Sequence, residues 1–566
     1  MATRRRVRRA ARRRRGRARV VDLRLLSRHL GGSRLVRDYL DGSATASAFY
    51  RGVPADARSY RAKARDLSQG AHPARLSAAA EIVRPAGPRA ENALRRVVEQ
   101  QGFFVTTGQQ PGLFGGPLYS LFKALTAVRL AEELQPVVGG PVMPLFWIAS
   151  DDHDWAEANH AHVVDPGNRL HRITVGPAAD PIPRALAQIP LGDRGEQVIA
   201  QLAACFPPND YRDGYLDLLR EAYHPGATLA SAYADLLAAL LRDTPIGLVD
   251  GAGARLKELA RPILRAEAED PLASEEALTE TAGHLTAAGY RLQVPLARGA
   301  TNLFFDTRQG RDRLLRAGSG FTLRRSGREF SSRRILGVID ESVDLVSPNV
   351  LLRPVVEGFV FPTLAYVAGP GEVAYFGQLA ALFRRHGVEM PVVAPRASLL
   401  VVERKVARVL ERLDVTVDDV RDGDRLQARF ARDEMPDDLK DGLKRWRTDL
   451  EKRAHEVSGA SAAIDPVLQG AVTKARNSGL AALGALEKKV IRAIKRQSET
   501  VAGQIAKAGV NLWPGGRPQD RMLSPLQYTM RYGPDFVTAL RERIRVLAGE
   551  TSVEPAGSLP RSDETP

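Results

Sequence analysis

Residues 101–134 read QGFFVTTGQQPGLFGGPLYSLFKALTAVRLAEEL, and residues 141–162 read PVMPLFWIASDDHDWAEANHAH. Each stretch begins as a buried-strand signal and runs directly into a polar or glycine-rich loop. Gly102–Thr107 is short, apolar and β-prone. It breaks at Gly108-Gln109-Gln110-Pro111-Gly112, passes Gly115-Gly116 and opens a helix at Pro117. Proline suits a first helical turn, whose N–H has no intrahelical partner. Leu118, Leu121, Phe122, Leu125, Val128 and Leu130 then recur at helical spacing. The second run, Val142–Ala149, is almost continuously apolar, as a strand covered on both faces should be. It ends in Asp151-Asp152-His153-Asp154. Open α/β sheets bind ligands in the crevice outside the carboxyl ends of their strands, which is where these groups fall.

Working outward, Gly247–Asp250, Thr363–Gly369 and Pro391–Ala394 repeat the buried-strand signal, with helical stretches between them. That alternation predicts an α/β fold with a Rossmann-like parallel sheet over residues 20–398. Residues 20–100 and 255–285 read as helical. An insertion near 160–243 shows helical patterns at 198–205, 213–223 and 228–242. A second insertion, near 270–345, contains short alternating segments such as Asn302–Asp306 and Phe321–Leu323, and predicts a small β-containing piece. Residues 399–511 change character. Leu439, Leu443, Trp446, Leu450 and Val457 keep helical spacing, as do Leu483, Leu486, Val490, Ile494, Gln497, Val501, Ile505 and Ala508. The second series averages close to an 11-residue repeat, with Gln497 as the polar position that could set register. Around Ser458–Pro466 the pattern breaks, so these helices predict an antiparallel coiled-coil hairpin.

The chain has 566 residues and a formal net charge of +16. Eleven arginines and no acid occupy residues 1–19, which leaves +5 for the remainder. Such a block is expected to be a disordered tail with the capacity to contact polyanions, and residues 551–566 form a second expected tail. No apolar run reaches transmembrane length. The single cysteine, Cys205, excludes an intramolecular disulfide and a cysteine-based metal cluster. These features fit a soluble cytoplasmic protein.

Two loops carry the candidate chemistry. Thr107, Gly108, Gln109, Gln110, Gly115 and Gly116 precede a helix N-terminus, where backbone N–H groups and the helix dipole suit an anion; Lys123 on that helix could neutralise phosphate or carboxylate. In the second loop, His153 lies among Asp151, Asp152 and Asp154. Three neighbouring acids favour the imidazolium and should raise its pKa. His153 could accept a proton from an attacking amine or steady negative charge on an acyl group, with Asp152 and Asp154 orienting it or gripping an ammonium. His153, Glu157 and His160 also fall at helical spacing, so a metal-dependent hydrolase is a competing reading. A coiled-coil scaffold that grips polyanions through its arginine tail is a third.

The two loops strongly resemble those of the bacillithiol biosynthesis cysteine-adding enzymes. SPNVLLRP (347–354), YVAGPGEVAYF (366–376), GVEMPVVAPRAS (387–398) and LWPGGRPQDR (512–521) resemble the same family, so the likeness runs from roughly residue 20 to 545. Asp151 stands where the family commonly has Glu, and Glu357-Gly358 where it has Gln-Asp. Pro518 and Asp520 depart from its usual Leu-Gln-Glu-Arg. The family's fold relatives among class I ligases carry a histidine-rich motif in the first loop; this loop has no histidine. The resemblance implies a ligase that joins the carboxylate of cysteine to the amino group of glucosaminyl-malate, with ATP as the natural activator, and a homodimer built on the coiled coil. It also implies that residues 512–550 return to the core. On this resemblance Asn349, Arg353, Glu372 and Tyr375 join the binding candidates, Arg353 as a fork for a carboxylate.

Overall fold

A computed structural model describes residues 23–70, 73–177, 182–497 and 499–547. The arginine-rich stretch 1–19, the segment 551–566 and the side chain of Gln497 lie outside the described residues. The chain forms two compact units, one of residues 23–401 with 519–547 and one of residues 402–518.

Six strands make the main sheet of the first unit, numbered here in chain order: β1 (Arg84–Pro85), β2 (Phe103–Gln109), β3 (Val142–Ile148), β4 (Gly247–Asp250), β5 (Thr363–Ala368) and β6 (Val392–Pro395). Their spatial order is β6-β5-β2-β3-β4-β1. The first five in that order are parallel, and only the short β1 runs antiparallel, against β4. The five apolar runs of the sequence therefore become five adjacent parallel strands. Both faces must be covered for strands so uniformly apolar, and every residue of β3 and β5 is buried. From β2 the chain adds β3 and β4 on one side and then crosses to place β5 on the other. The switch point lies between β2 and β5, where a crevice must open at their carboxyl ends.

Helix α1 (Leu118–Val138) follows β2. Its predicted apolar stripe is buried, but so are Ser120, Lys123 and Thr126, so the helix is enclosed on more than one side. The loop before it folds back on itself. Phe114, Gly115 and Gly116 all have positive φ, and a Cβ on Gly112 would stand 2.9 Å from the Gly116 Cα.

Between β3 and β4 lie the three expected helices, at Arg194–Ala204, Arg212–Ala222 and Leu229–Leu240. The same insertion holds a hairpin that the sequence reading missed, pairing His160–Val164 with Leu170–Thr174. Both share a separate core with Leu526 and Met530 from the returning C-terminal segment. Between β4 and β5, helices Ala254–Glu269 and Pro271–Ala287 lead to a five-stranded antiparallel sheet built from Ala300–Thr307, Gly310–Ala317, Gly320–Leu323, Glu329–Ser331 and Val346–Pro348.

The second unit is helical. Asp437–Ala462 and Leu468–Gln497 form an antiparallel hairpin. Arg447 pairs with Glu487 at 3.0 Å, and Leu450 packs beside Gly479. The connection is shorter than the sequence suggested, because the first helix continues through Ser458 to Ala462. Ala431, Met435 and Ile491 form a small core with Leu443, Val490 and Ile494 around it. Leu439, Trp446, Val457 and Leu486, expected in the seam, are exposed instead.

Candidate active site

A cleft of about 300 Å³ opens at the switch point. Gly108, Gln109 and Gln110 enter it from the end of β2, and Gly369–Glu372 from the end of β5. Trp147 and Asp152 enter from β3 and its loop. Lys123, Arg353 and Tyr375 also line it, together with Tyr119, Tyr366, Arg396 and Arg521. Gly108 is required by the close approach of β3, since a Cβ there would meet the Trp147 carbonyl oxygen at 3.0 Å.

The cleft cations are mostly occupied by the protein itself. Lys123 Nζ lies 2.5 Å from Glu372 Oε2 and donates to the Gly108 carbonyl and Gln109 Oε1. Burial holds this ammonium below its usual pKa, against the pull of Glu372. Glu372 also accepts from Tyr366 Oη at 2.6 Å and from the Gly369 N–H at 2.7 Å. Arg353 donates to Glu357 at 2.8 Å, Tyr366 Oη at 3.1 Å and Tyr375 Oη at 3.3 Å. Glu357, one of the residues that departs from the family pattern, also accepts from Thr106. Arg353 is thus engaged as an internal ion pair, which leaves its fork unavailable while Glu357 holds it. Arg396 pairs with Asp520 at 2.7 Å. Arg521 makes no hydrogen bond or ion pair among the described residues.

The other candidates of the first loop have structural partners. Thr107 Oγ1 donates to the Val367 carbonyl, tying β2 to β5. Gly115 and Gly116 are buried beside Pro525, Leu236 and Tyr233, outside the cleft lining. The Leu118 N–H at the start of α1 donates to the Leu523 carbonyl. This one donor of the helix N-terminus is therefore taken by the protein's own backbone, while Gly108, Gln109 and Gln110 of the same loop still line the cleft. Asn349 is buried as well: its Oδ1 accepts from the Leu351 and Leu352 N–H groups, and its Nδ2 donates to Asn302.

The second loop differs from its reading in two respects. First, His153, Glu157 and His160 do not share a helical face. The only helix here is the single turn Trp155–Ala158, capped by Asp154; His153 precedes it and His160 begins a strand. Among the described residues no three His, Cys, Asp or Glu side chains are placed to hold a metal ion. Second, the pKa of His153 is lowered rather than raised. Partial burial is the larger cause, and the Arg311 guanidinium adds to it, outweighing Asp152 and Asp154. Arg311 comes from the inserted sheet, 158 positions along the chain from His153, so no local pattern points to it. Asp152 Oδ1 accepts from the His153 and Asp154 N–H groups, and Gln110 Nε2 donates to the Asp154 carbonyl, which ties the two loops together.

Residues 21–397 match the family described as the bacillithiol biosynthesis BshC N-terminal Rossmann-like domain, and residues 399–553 match its C-terminal coiled-coil domain. The chain belongs to the BshC family. Among its relatives, a protein of Salinibacter ruber named "Putative cysteine ligase BshC" is 36% identical over 459 residues, covering 81% of this chain and 83% of its own length. Proteins of the same name from Solibacter usitatus and Koribacter versatilis are each 30% identical. The first alignment covers 91% of this chain and 95% of the relative, and the second 93% and 96%. The BshC match spans both units, so it carries the Rossmann-like and coiled-coil parts of the expected architecture together.

Proposed function

We propose that this BshC chain is the cysteine ligase of bacillithiol biosynthesis, joining the carboxyl of cysteine to the amino group of glucosaminyl-malate. Family membership along almost the whole chain carries this reading. The cleft supports it with chemistry suited to small, charged substrates. Arg521 is the cleft cation left for a substrate carboxylate, since Lys123, Arg353 and Arg396 have internal carboxylate partners. Asp152, which lines the same cleft, suits an ammonium. Amide formation needs an activated carboxyl, because an amine otherwise only deprotonates the acid.

The hairpin helix Asp437–Ala462 buries none of its residues within the chain, which supports a homodimer. No described helix is long and apolar enough to cross a membrane, which agrees with a cytoplasmic enzyme.

The test is thiol metabolite profiling of the source bacterium with and without the gene. Loss of bacillithiol with accumulation of glucosaminyl-malate is the expected result; unchanged bacillithiol would refute the assignment. Purified protein given cysteine and the acceptor, with and without ATP, then decides whether ATP is the activator.

A further inference from the structure

His153 had two roles open to it, proton acceptor or hydrogen-bond donor, and its neighbours distinguish them. Arg311 Nη1 lies 3.3 Å from His153 Nδ1. A guanidinium has only donors, so in this contact Nδ1 must be the acceptor. An imidazole that accepts at Nδ1 carries its proton at Nε2. The competing partner for Nδ1, Asp152 Oδ1, stands farther away at 3.7 Å and already accepts two backbone N–H groups. Nε2 has no hydrogen-bond partner among the described residues, and the side chain is about one-third exposed, at 37%.

Arg311 is itself held firmly. Its Nε donates to Ser347 Oγ at 3.1 Å, and its Nη2 lies 3.4 Å from both Asp151 Oδ2 and the Pro348 carbonyl. The guanidinium stacks over Phe304 at 4.0 Å, and the side chain is only 6% exposed. A guanidinium keeps its charge at any working pH, so the donor to Nδ1 is permanent. His153 adjoins the cleft through Asp152 and is not itself part of its lining. We propose that Arg311 is a positioning residue that locks His153 as a neutral Nε2–H donor at this margin, serving to hold an oxygen that gains negative charge rather than to remove the amine's proton. The catalytic use of that donor rests on the ligase reading above; the protonation state does not.

The charged groups around the ring are Arg311 and Arg325 from the inserted sheet, Asp152 and Asp154 from its own loop, and Asp306. A folded-state pKa below the ordinary value means that the neutral ring is retained as pH falls through about 6.5. Its contribution to stability is full above that pH and is lost as pH falls from there through the lowered folded-state value, because over that span the unfolded chain binds the proton and the folded ring does not.

The test uses the full chain with ¹⁵N-labelled histidine; the His153 signals are identified by their loss in His153→Gln. At pH 7 the wild-type ring should show a protonated Nε2 and a bare Nδ1. Arg311→Met should move the titration up towards the ordinary histidine value, and Arg311→Lys should restore part of the wild-type behaviour. An imidazolium, or a ring protonated at Nδ1, in the wild-type protein at pH 7 would overturn the proposal whether or not the variants fold. Turnover gives the second readout. His153→Gln keeps an amide donor and should retain more activity than His153→Ala, which should lose about 10²–10³-fold, the usual cost of removing one such donor. Gln and Ala variants that are equally inactive would rule out the donor role. If the wild-type protein makes no amide, the ligase reading fails while the spectrum still decides the tautomer.

Discussion

The cleft and the coiled-coil hairpin treat their side chains in opposite ways. In the cleft, Lys123, Arg353 and Arg396 each have an internal carboxylate, and tyrosine hydroxyls fill the remaining geometry. In the hairpin, Trp446 is 57% exposed and Val457 54% exposed, on a helix that buries nothing. Three of the four cleft cations are paired within the chain. The hairpin leaves apolar surface in water, a cost that association would remove. The difference teaches where mutational sensitivity should lie: in stability at the cleft, and in assembly at the hairpin.

The most damaging way to break the contrast is Glu372→Ala. It removes the partner of a lysine that is 2% exposed, and with it the acceptors for Tyr366 and the Gly369 N–H. Breaking a buried pair by removing one partner typically costs about 3–5 kcal/mol. Urea unfolding should show a loss of that size. A loss below about 1 kcal/mol would mean that Lys123 does not depend on this carboxylate.

A smaller and more selective effect is expected at Arg521. This residue has no hydrogen-bond or ion-pair partner among the described residues, so Arg521→Ala should leave unfolding nearly unchanged. It should raise the KM for one anionic substrate about 10–100-fold, in line with about 1.5–3 kcal/mol for a hydrogen bond to a charged group. An unchanged KM for both substrates would remove Arg521 from recognition and leave the substrate carboxylate to an arginine that must first release its partner.

Much of this architecture could be read directly from the residues. The runs at 102–107, 142–149 and 363–369 are legible because a parallel strand buried on both faces has no polar alternation to disguise it, although the first strand continues through Gly108 to Gln109, which read as loop. The hairpin at His160–Thr174 was not, since its strands are short and carry His160, His162, His171 and Arg172 between the apolar positions. The site was legible as an address more than as a mechanism. The strand ends at Gly108 and Asp152 do line one cleft. Which charges cancel depended on contacts no local pattern encodes: Lys123 with Glu372, Arg396 with Asp520, and Arg311 with Asp151 across 160 positions of chain. The direction of the His153 shift has the same origin: burial and a distant arginine outweigh the acids adjacent in sequence.

The mildest effect on folding sharpens the other half of the contrast. Trp446 projects from a helix with no buried residue, so Trp446→Ala should change the unfolding free energy by no more than about 0.5 kcal/mol, the range of surface substitutions away from special features. If the exposed apolar residues of the hairpin meet a second copy, the same substitution should shift sedimentation equilibrium from dimer towards monomer. Trp446→Glu should shift it further, because a buried carboxylate without a partner is disfavoured. The two measurements separate the alternatives. A dimer that weakens while the monomer's unfolding is unchanged places the tryptophan in an interface. A monomer that loses several kcal/mol would instead mean that the hairpin packs Trp446 within its own unit in solution, and the contrast with the cleft would disappear.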